Sequence, residues 1–317
     1  MIRTELCDLL DIKYPVIQGG MAGVSTAELA AAVSEAGGLG IIGSGTANDS
    51  WVQEQVRLTR QFTKKPFGVN VLLLSPYVEG IIKVIIKEQV PVITTGAGNP
   101  GKYLPALQKA GVKVIPVVSS VFLAKRLVRN GVNAIIAEGM ESGGHIGELG
   151  TMAIVPQVVE AVDVPVIAAG GIYDGRGLAA ALCLGAMGVQ MGTRFMCASE
   201  CTIHPNVKKM IIKAKDRDTV VTGGAIGHPV RVLRNKLTRQ YEELEGRCAP
   251  PEEIEKLGVG RLRAAMVDGD VEYGSIMSGQ VSAMVREVQA AREIIADVVQ
   301  GAAEILQNLS YRMVEQK

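Results

Sequence analysis

Eight short runs of β-branched and small apolar residues recur through the first two thirds of the chain, each followed by a segment of helical period. They are "YPVIQGG", "LGIIGSG", "FGVNVLLL", "VPVITTGAG", "VKVIPVVSS", "NAIIAEG", "VPVIAAGG" and "GVQMGTRF". The runs are apolar at successive rather than alternate positions, the pattern of parallel strands covered on both faces. Repeated eight times, strand then helix closes most naturally into a (β/α)8 TIM barrel, although a doubly wound sheet carries similar local patterns. In the first unit Ser25 and Glu28 are spaced as a capping box, Val24 and Leu29 as a hydrophobic staple, and Gly37-Gly38 as a helix stop. Gly111, Gly131 and Gly185 are further stop signals. A dinucleotide-binding sheet would need G-x-G-x-x-G after its first strand and an acidic residue about 20 positions on. "QGGMAGVS" at 18–25 lacks that spacing.

After about residue 214 the rhythm stops. Residues 216–281 are charged, punctuated and partly helical, as in a smaller substrate or lid domain inserted near the C-terminus. Residues 282–317 regain helical period and are expected to pack back on the barrel of residues 1–215. Lys and Arg total 33 against 32 Asp and Glu, so no global field favours nucleic acid or an anionic membrane. The uncharged stretch 178–193 contains three glycines and Gln190, which fits a buried helix and strand better than a membrane span. The N-terminus lacks an uninterrupted apolar core for a secretory signal, and the 5 cysteines are scattered as in a reducing compartment, so a cytoplasmic protein is expected. Cys197, Cys201 and His204 lack a second pair at zinc-site spacing, so no metal site is expected.

In such a barrel the chemistry sits at the C-terminal strand ends, and phosphate is commonly held by the loops after strands seven and eight. Those loops are "AAGGIYDG" (168–175) and "QMGTRF" (190–195). They offer the amides of Gly170, Gly171 and Gly192 and the hydroxyl of Thr193, with no Cβ at the glycines to block an approaching phosphate. Gln18 to Met21 close strand one, Asn70 lies in strand three, and Glu138 to Gly144 close strand six. Amides, a carboxylate and bare backbone around one mouth suit a flat heterocycle such as a flavin. The loop "EGMESGGHIGELGT" (138–151) adds His145, whose glycine neighbours have no side chains to bury it. An imidazole there is suited to proton transfer or hydrogen bonding at neutral pH. His204, before Pro205, reads as a helix cap, and His228 opens the charged segment. Arg231, Arg234, Lys236 and Arg239 read as a solvated helical face, because Glu242, Glu243 and Glu245 follow; attraction of an acidic carrier or a nucleotide phosphate is the alternative.

The whole chain resembles the type II FMN-dependent enoyl-acyl-carrier-protein reductases, within the nitronate monooxygenase-like flavoproteins. "PVIQGGMAGVS", "AGGLGIIGSG", "PFGVNVLLLSP", "TTGAGNP", "IAEGMESGGHIGELGTM", "PVIAAGGI", "VQMGTRF", "HPNVK" and "GDVEYGSIMSGQ" occur in family order. The resemblance implies FMN with its phosphate on Gly170, Gly171, Gly192 and Thr193. Gln18, Gly19, Met21, Asn70, Glu138, Gly143 and Gly144 would surround the ribityl chain and ring, and Met277, Gly279 and Gln280 would join from the returning segment. It also implies NADH or NADPH as co-substrate, an enoyl-acyl carrier protein substrate in the last step of fatty-acid elongation, and a homodimer, with a monovalent cation as a further candidate. His145 would polarise the thioester or protonate its enolate, with solvent as the other proton source. The alternatives are a nitronate monooxygenase, and a flavin-free barrel binding a phosphate ligand.

Overall fold

The computed structural model describes residues 2–309, so residue 1 and the last stretch of the tail, 310–317, lie outside the described residues. All eight expected strands form. They are β1 (Val16–Gln18), β2 (Gly40–Gly43), β3 (Phe67–Leu72), β4 (Val92–Gly96), β5 (Lys113–Val118), β6 (Ile135–Glu138), β8 (Val166–Ala169) and β9 (Gly188–Met191). Between them, β7 (Gly144–His145) is a short extra strand in the loop after β6. The large sheet runs β1-β9-β8-β6-β5-β4-β3-β2. Every pairing within it is parallel. Its two ends join, since Leu39 N donates to Val16 O at 2.9 Å and Gln18 N to Leu39 O at 3.0 Å. The result is a closed (β/α)8 barrel.

The continuous apolar runs resolve into two faces once the barrel closes, because successive strand residues point to opposite sides. Val16, Ile42, Ile93, Val114, Ile135 and Val166 face the outer helices. Ile17, Ile41, Val92, Ile115, Ile136 and Ile167 face inward, where Leu6, Cys7 and Leu10 of the helix Glu5–Leu10 plug the N-terminal end. Parity also fixes what lies above them. Two residues further along, the inward positions are Gly19, Gly43, Thr94, Val117, Glu138 and Ala169, so within one pleat the wholly aliphatic interior gives way to a mixed layer that includes a hydroxyl and a carboxyl.

The stop signals hold. Gly37, Gly111, Gly131 and Gly185 take φ of 93°, 73°, 87° and 89° just after their helices, the left-handed turn that glycine adopts without a Cβ clash. The start signal of the first unit does not. The helix Ala27–Glu35 begins one residue late, Thr26 is its N-cap without a side-chain cap, and no Ser25–Glu28 box forms. Ser25 Oγ is engaged below the barrel mouth instead, accepting from Met21 N at 2.9 Å and Gln18 Nε2 at 2.8 Å. Cys197 and Cys201 are core residues, and burial pushes the Cys197 thiol up to about 12 and raises that of Cys201. His204 caps the helix Pro205–Lys213, its Nδ1 accepting from Asn206 N at 3.2 Å.

Residues 216–281 build β10 (Thr219–Thr222), β11 (Val230–Leu233) and the helices Lys236–Gly246, Pro251–Gly258 and Arg261–Met266. β11 pairs antiparallel with both β10 and β7, so this segment shares a small sheet with the loop that carries His145. The helix Ala291–Asn308 then returns to pack against Gly175–Cys183 and Ala27–Glu35, completing the outer ring. No helix among the described residues is long and apolar enough to cross a membrane.

Candidate active site

A cavity of about 590 Å³ occupies the C-terminal mouth of the barrel, well within the ~300–1,000 Å³ range of small-ligand sites. Its floor is the polar layer that strand parity places there: Gly19, Asn70, Glu138 and Gln190. Asn70 is oriented by donating Nδ2–H to Thr94 Oγ1 at 2.9 Å. Gln190 Oε1 is buried without a hydrogen-bond partner, a state that native proteins rarely leave uncompensated. Desolvation raises the Glu138 carboxyl to about 7, with Ser142 opposing the shift. A carboxyl so placed holds a proton close to neutral pH and can donate as well as accept.

The rim after β8 and β9 is backbone. Gly170 and Gly171 have φ of 89° and 68°, and a Cβ on Gly170 would stand 2.6 Å from Gly139 O. Neither Gly171 nor Gly192 gives its N–H to an acceptor among the described residues. Thr193 lies beside them with its Oγ1 accepting from Gly279 N at 2.9 Å, so its hydroxyl proton remains for another acceptor. Glu141 also stands near Gly171. Its carboxylate is turned onto the start of the helix Thr151–Val159, where it accepts from Thr151 N at 3.0 Å and Thr151 Oγ1 at 2.9 Å.

His145 joins the same cavity from the loop after β6. It sits on β7, paired with Val230 of β11, while Gly144 pairs with Arg231. Its ring projects into the open cavity beside His228. Partial desolvation, and then repulsion from His228, hold its pKa below the ordinary 6.5. The imidazole is therefore neutral at neutral pH, with one ring N–H to donate. Two contacts fix the loop beneath it. At Gly143 a Cβ would lie 2.6 Å from the Ser278 carbonyl carbon, so only glycine lets the two chains pass this closely. Arg231 Nε donates to Met140 O at 3.0 Å. Arg231 is buried at 4% exposure, so the expectation of a solvated helical face fails for it: it lies on a strand, inside a sheet. Arg234 and Lys236 do lie at the surface, paired with Glu242 and Glu272.

Of the residues selected from sequence, Gly19, Met21, Asn70, Glu138, Gly143, Gly144 and His145 line this one cavity. Gly170, Gly171, Gly192, Thr193, Met277 and Gly279 line it too. Two others are placed elsewhere. Gln18 has the parity opposite to Gly19 and is fully buried behind the wall, its Oε1 accepting from Ile41 N at 3.1 Å. Gln280 gives its N–H to Glu141 O at 2.9 Å while its side chain is exposed. Among the lining residues that the sequence reading does not select are Gln190, Glu141 and His228. Parity along "GVQM" was the available signal for Gln190. No local pattern marks His228, which reaches the site through the pairing of β11 with β7.

Closed barrel, glycine rim and an imidazole lining the same cavity together define a barrel enzyme with its ligand site at the C-terminal mouth. The chain belongs to the nitronate monooxygenase family, whose model matches residues 3–81 and 75–301. Among solved structures it is similar to FabK from Thermotoga maritima, at 50% identity and a TM-score of 0.96, over 99% of this chain and 100% of that one. Among curated proteins it is 34% identical to the (3aS,4S,5R,7aS)-5-hydroxy-7a-methyl-1-oxo-octahydro-1H-indene-4-carboxyl-CoA dehydrogenase of Mycobacterium tuberculosis, over 98% of each chain. It is also 34% identical to a probable nitronate monooxygenase of Staphylococcus aureus, over 96% of this chain and 99% of that one.

Proposed function

We propose that this chain is an FMN-dependent enoyl-acyl-carrier-protein reductase of type II, as its likeness to FabK supports, using NADH or NADPH. The observation that carries the reading is the meeting of two unlike surfaces in one cavity: a backbone rim able to hold phosphate, and a neutral imidazole over a polar floor. The residues present fit FMN. Gly171 and Gly192 have N–H groups to give a phosphate, Thr193 has a hydroxyl proton, and the orphaned Gln190 Oε1 asks for a donor such as the N–H edge of a flavin. Asn70 and Glu138 face the same floor.

The chemistry that FMN supplies when bound is storage of a hydride between a nicotinamide and an electron-poor alkene. The protein's part is orientation and charge. Reduction of a trans-2-enoyl thioester at Cβ moves charge onto the thioester oxygen, and the ring N–H of His145 is the donor positioned to stabilise it. A proton must then reach Cα, delivered by His145 or by water at the open side of the cavity. Because the imidazole starts neutral, it acts first as a hydrogen-bond donor.

Several finer points belong to the same proposal. They are the acyl carrier protein as natural carrier, a homodimer, a cytoplasmic location, and a division into a barrel (residues 1–215 and 282–317) and a substrate lid (216–281). So is the assignment of the site residues to FMN.

The test is anaerobic. Reduced, flavin-loaded protein titrated with crotonyl thioester is expected to reoxidise stoichiometrically. The family model and the S. aureus relative favour a second reading, nitronate oxidation by oxygen. If the reduced flavin stays reduced with the thioester while the oxidised protein consumes oxygen with a nitronate and no nicotinamide, that reading replaces ours. Protein that purifies without a flavin spectrum and cannot be reconstituted would exclude both.

A further inference from the structure

A second cavity, of about 290 Å³, lies within the segment 216–281 and opens on the first at His145, His228, Leu262 and Met277. Much of its own wall is aliphatic: Ile226, Val230, Val232, Leu233 and Leu237. Tyr241 and Gly258, on neighbouring helices, bound it away from the first cavity, and a Cβ on Gly258 would come within 2.7 Å of the Tyr241 hydroxyl. The polar residues Thr222, Ser275 and Tyr241 bring hydroxyl groups to the wall but no charge. Glu255 is exposed, and Thr238 Oγ1 donates to Asn235 O at 2.9 Å. A largely aliphatic chamber that joins a polar reaction cavity at the imidazole suits a flexible hydrocarbon and disfavours a charged group, for which its walls hold no buried counter-charge.

We propose that this chamber receives the alkyl tail of the enoyl thioester beyond Cβ, and that Tyr241 and Gly258 set the chain length it accepts. The inference rests on the reductase reading above. With the thioester oxygen at His145, the tail runs on from the reacting carbon toward the shared opening, and the carrier end is left to the solvent side of the first cavity. Each further methylene buried should raise kcat/KM about fourfold until the end wall is met.

The test compares flavin-loaded wild type with Gly258→Leu, which narrows the end wall, and Tyr241→Ala, which opens it. Rates with NADH are measured on crotonyl-, octenoyl- and dodecenoyl-CoA, and affinities for butyryl- and dodecanoyl-CoA by calorimetry. For Gly258→Leu the ratio of dodecenoyl to crotonyl kcat/KM is expected to fall about tenfold or more, and the calorimetric preference for dodecanoyl-CoA to shrink with it. For Tyr241→Ala the ratio should rise, which keeps the test open should the leucine variant not fold. Equal factors at every chain length, or a changed KM for NADH with an unchanged chain profile, would overturn the proposal. If wild type reduces no enoyl-CoA at all, the reductase reading falls instead, and the chamber stands only if dodecanoyl-CoA still binds wild type more tightly than Gly258→Leu.

Discussion

The two ends of the barrel are made by the same strands and behave as different materials. On β6, Ile136 is fully buried against Ile17, Ile115 and the plug residues Leu6 and Leu10, while Glu138, two residues on, faces the cavity. The separation is one pleat, roughly 7 Å. Below it the inward side chains form one aliphatic cluster; above it glycine, threonine, amide and carboxyl join Val117 and Ala169 at the inward positions. A barrel can divide stability from chemistry in this way because each strand crosses from one end to the other, with side-chain direction fixed by parity alone. Substitutions on the two sides should therefore fail in different measurements.

The largest effect is expected at the imidazole. His145→Ala should lower kcat for enoyl reduction by about 10²–10⁴-fold, the usual weight of a positioned acid or donor, while the flavin spectrum and the melting temperature stay near wild type. Turnover within a few-fold of normal would place the charge stabilisation elsewhere in the cavity. The matching break at the lower end is Ile136→Ala, which should cost about 2–5 kcal/mol of stability in chemical denaturation and leave kcat at low temperature close to wild type. A large loss of activity without a loss of stability would show that the two ends are not separable. Next comes the backbone rim. Gly171→Val puts a branched side chain at φ 68°, a conformation that costs an ordinary residue about 1–2 kcal/mol, and sets bulk where a phosphate would approach. The protein should purify with little flavin but keep its fold by circular dichroism; a fully flavinated variant would move the phosphate away from this rim.

The same division decides what was legible beforehand. The strands were, because β-branched runs flanked by glycine stops carry their own signal, and so was the position of the glycine rim, because a barrel brings the ends of strands seven and eight to one mouth. Gln18 ends a strand and so reads as a wall residue, yet parity turns it behind the wall, and the same count applied to "GVQM" selects Gln190. The spacing of Ser25 from Glu28 is that of a capping box, but Met21 N and Gln18 compete for the same hydroxyl and win. Arg231 and His228 were the hardest. Their place depends on β11 pairing with a two-residue strand far back in the chain, a non-local contact that no helical or strand period announces.

Glu138 gives the finest comparison with its neighbour in the core. An ordinary glutamate has a pKa of 4.5, and desolvation raises this one to about 7 in the folded protein. Between those values the folded chain holds a proton that the unfolded chain has released, so stability falls as pH rises through that window and levels off above it. The full penalty corresponds to at most about 3 kcal/mol, less to the extent that solvent enters the cavity. Glu138→Gln keeps the shape and removes the titration. In flavin-stripped protein, the stability of the glutamine variant relative to wild type should therefore climb between pH 4.5 and pH 8, whereas Ile136→Ala should show a difference from wild type that does not vary with pH. A flat Glu138→Gln profile would mean that the carboxyl is as well solvated as one at the surface, and that the polar layer begins higher in the barrel than β6 implies.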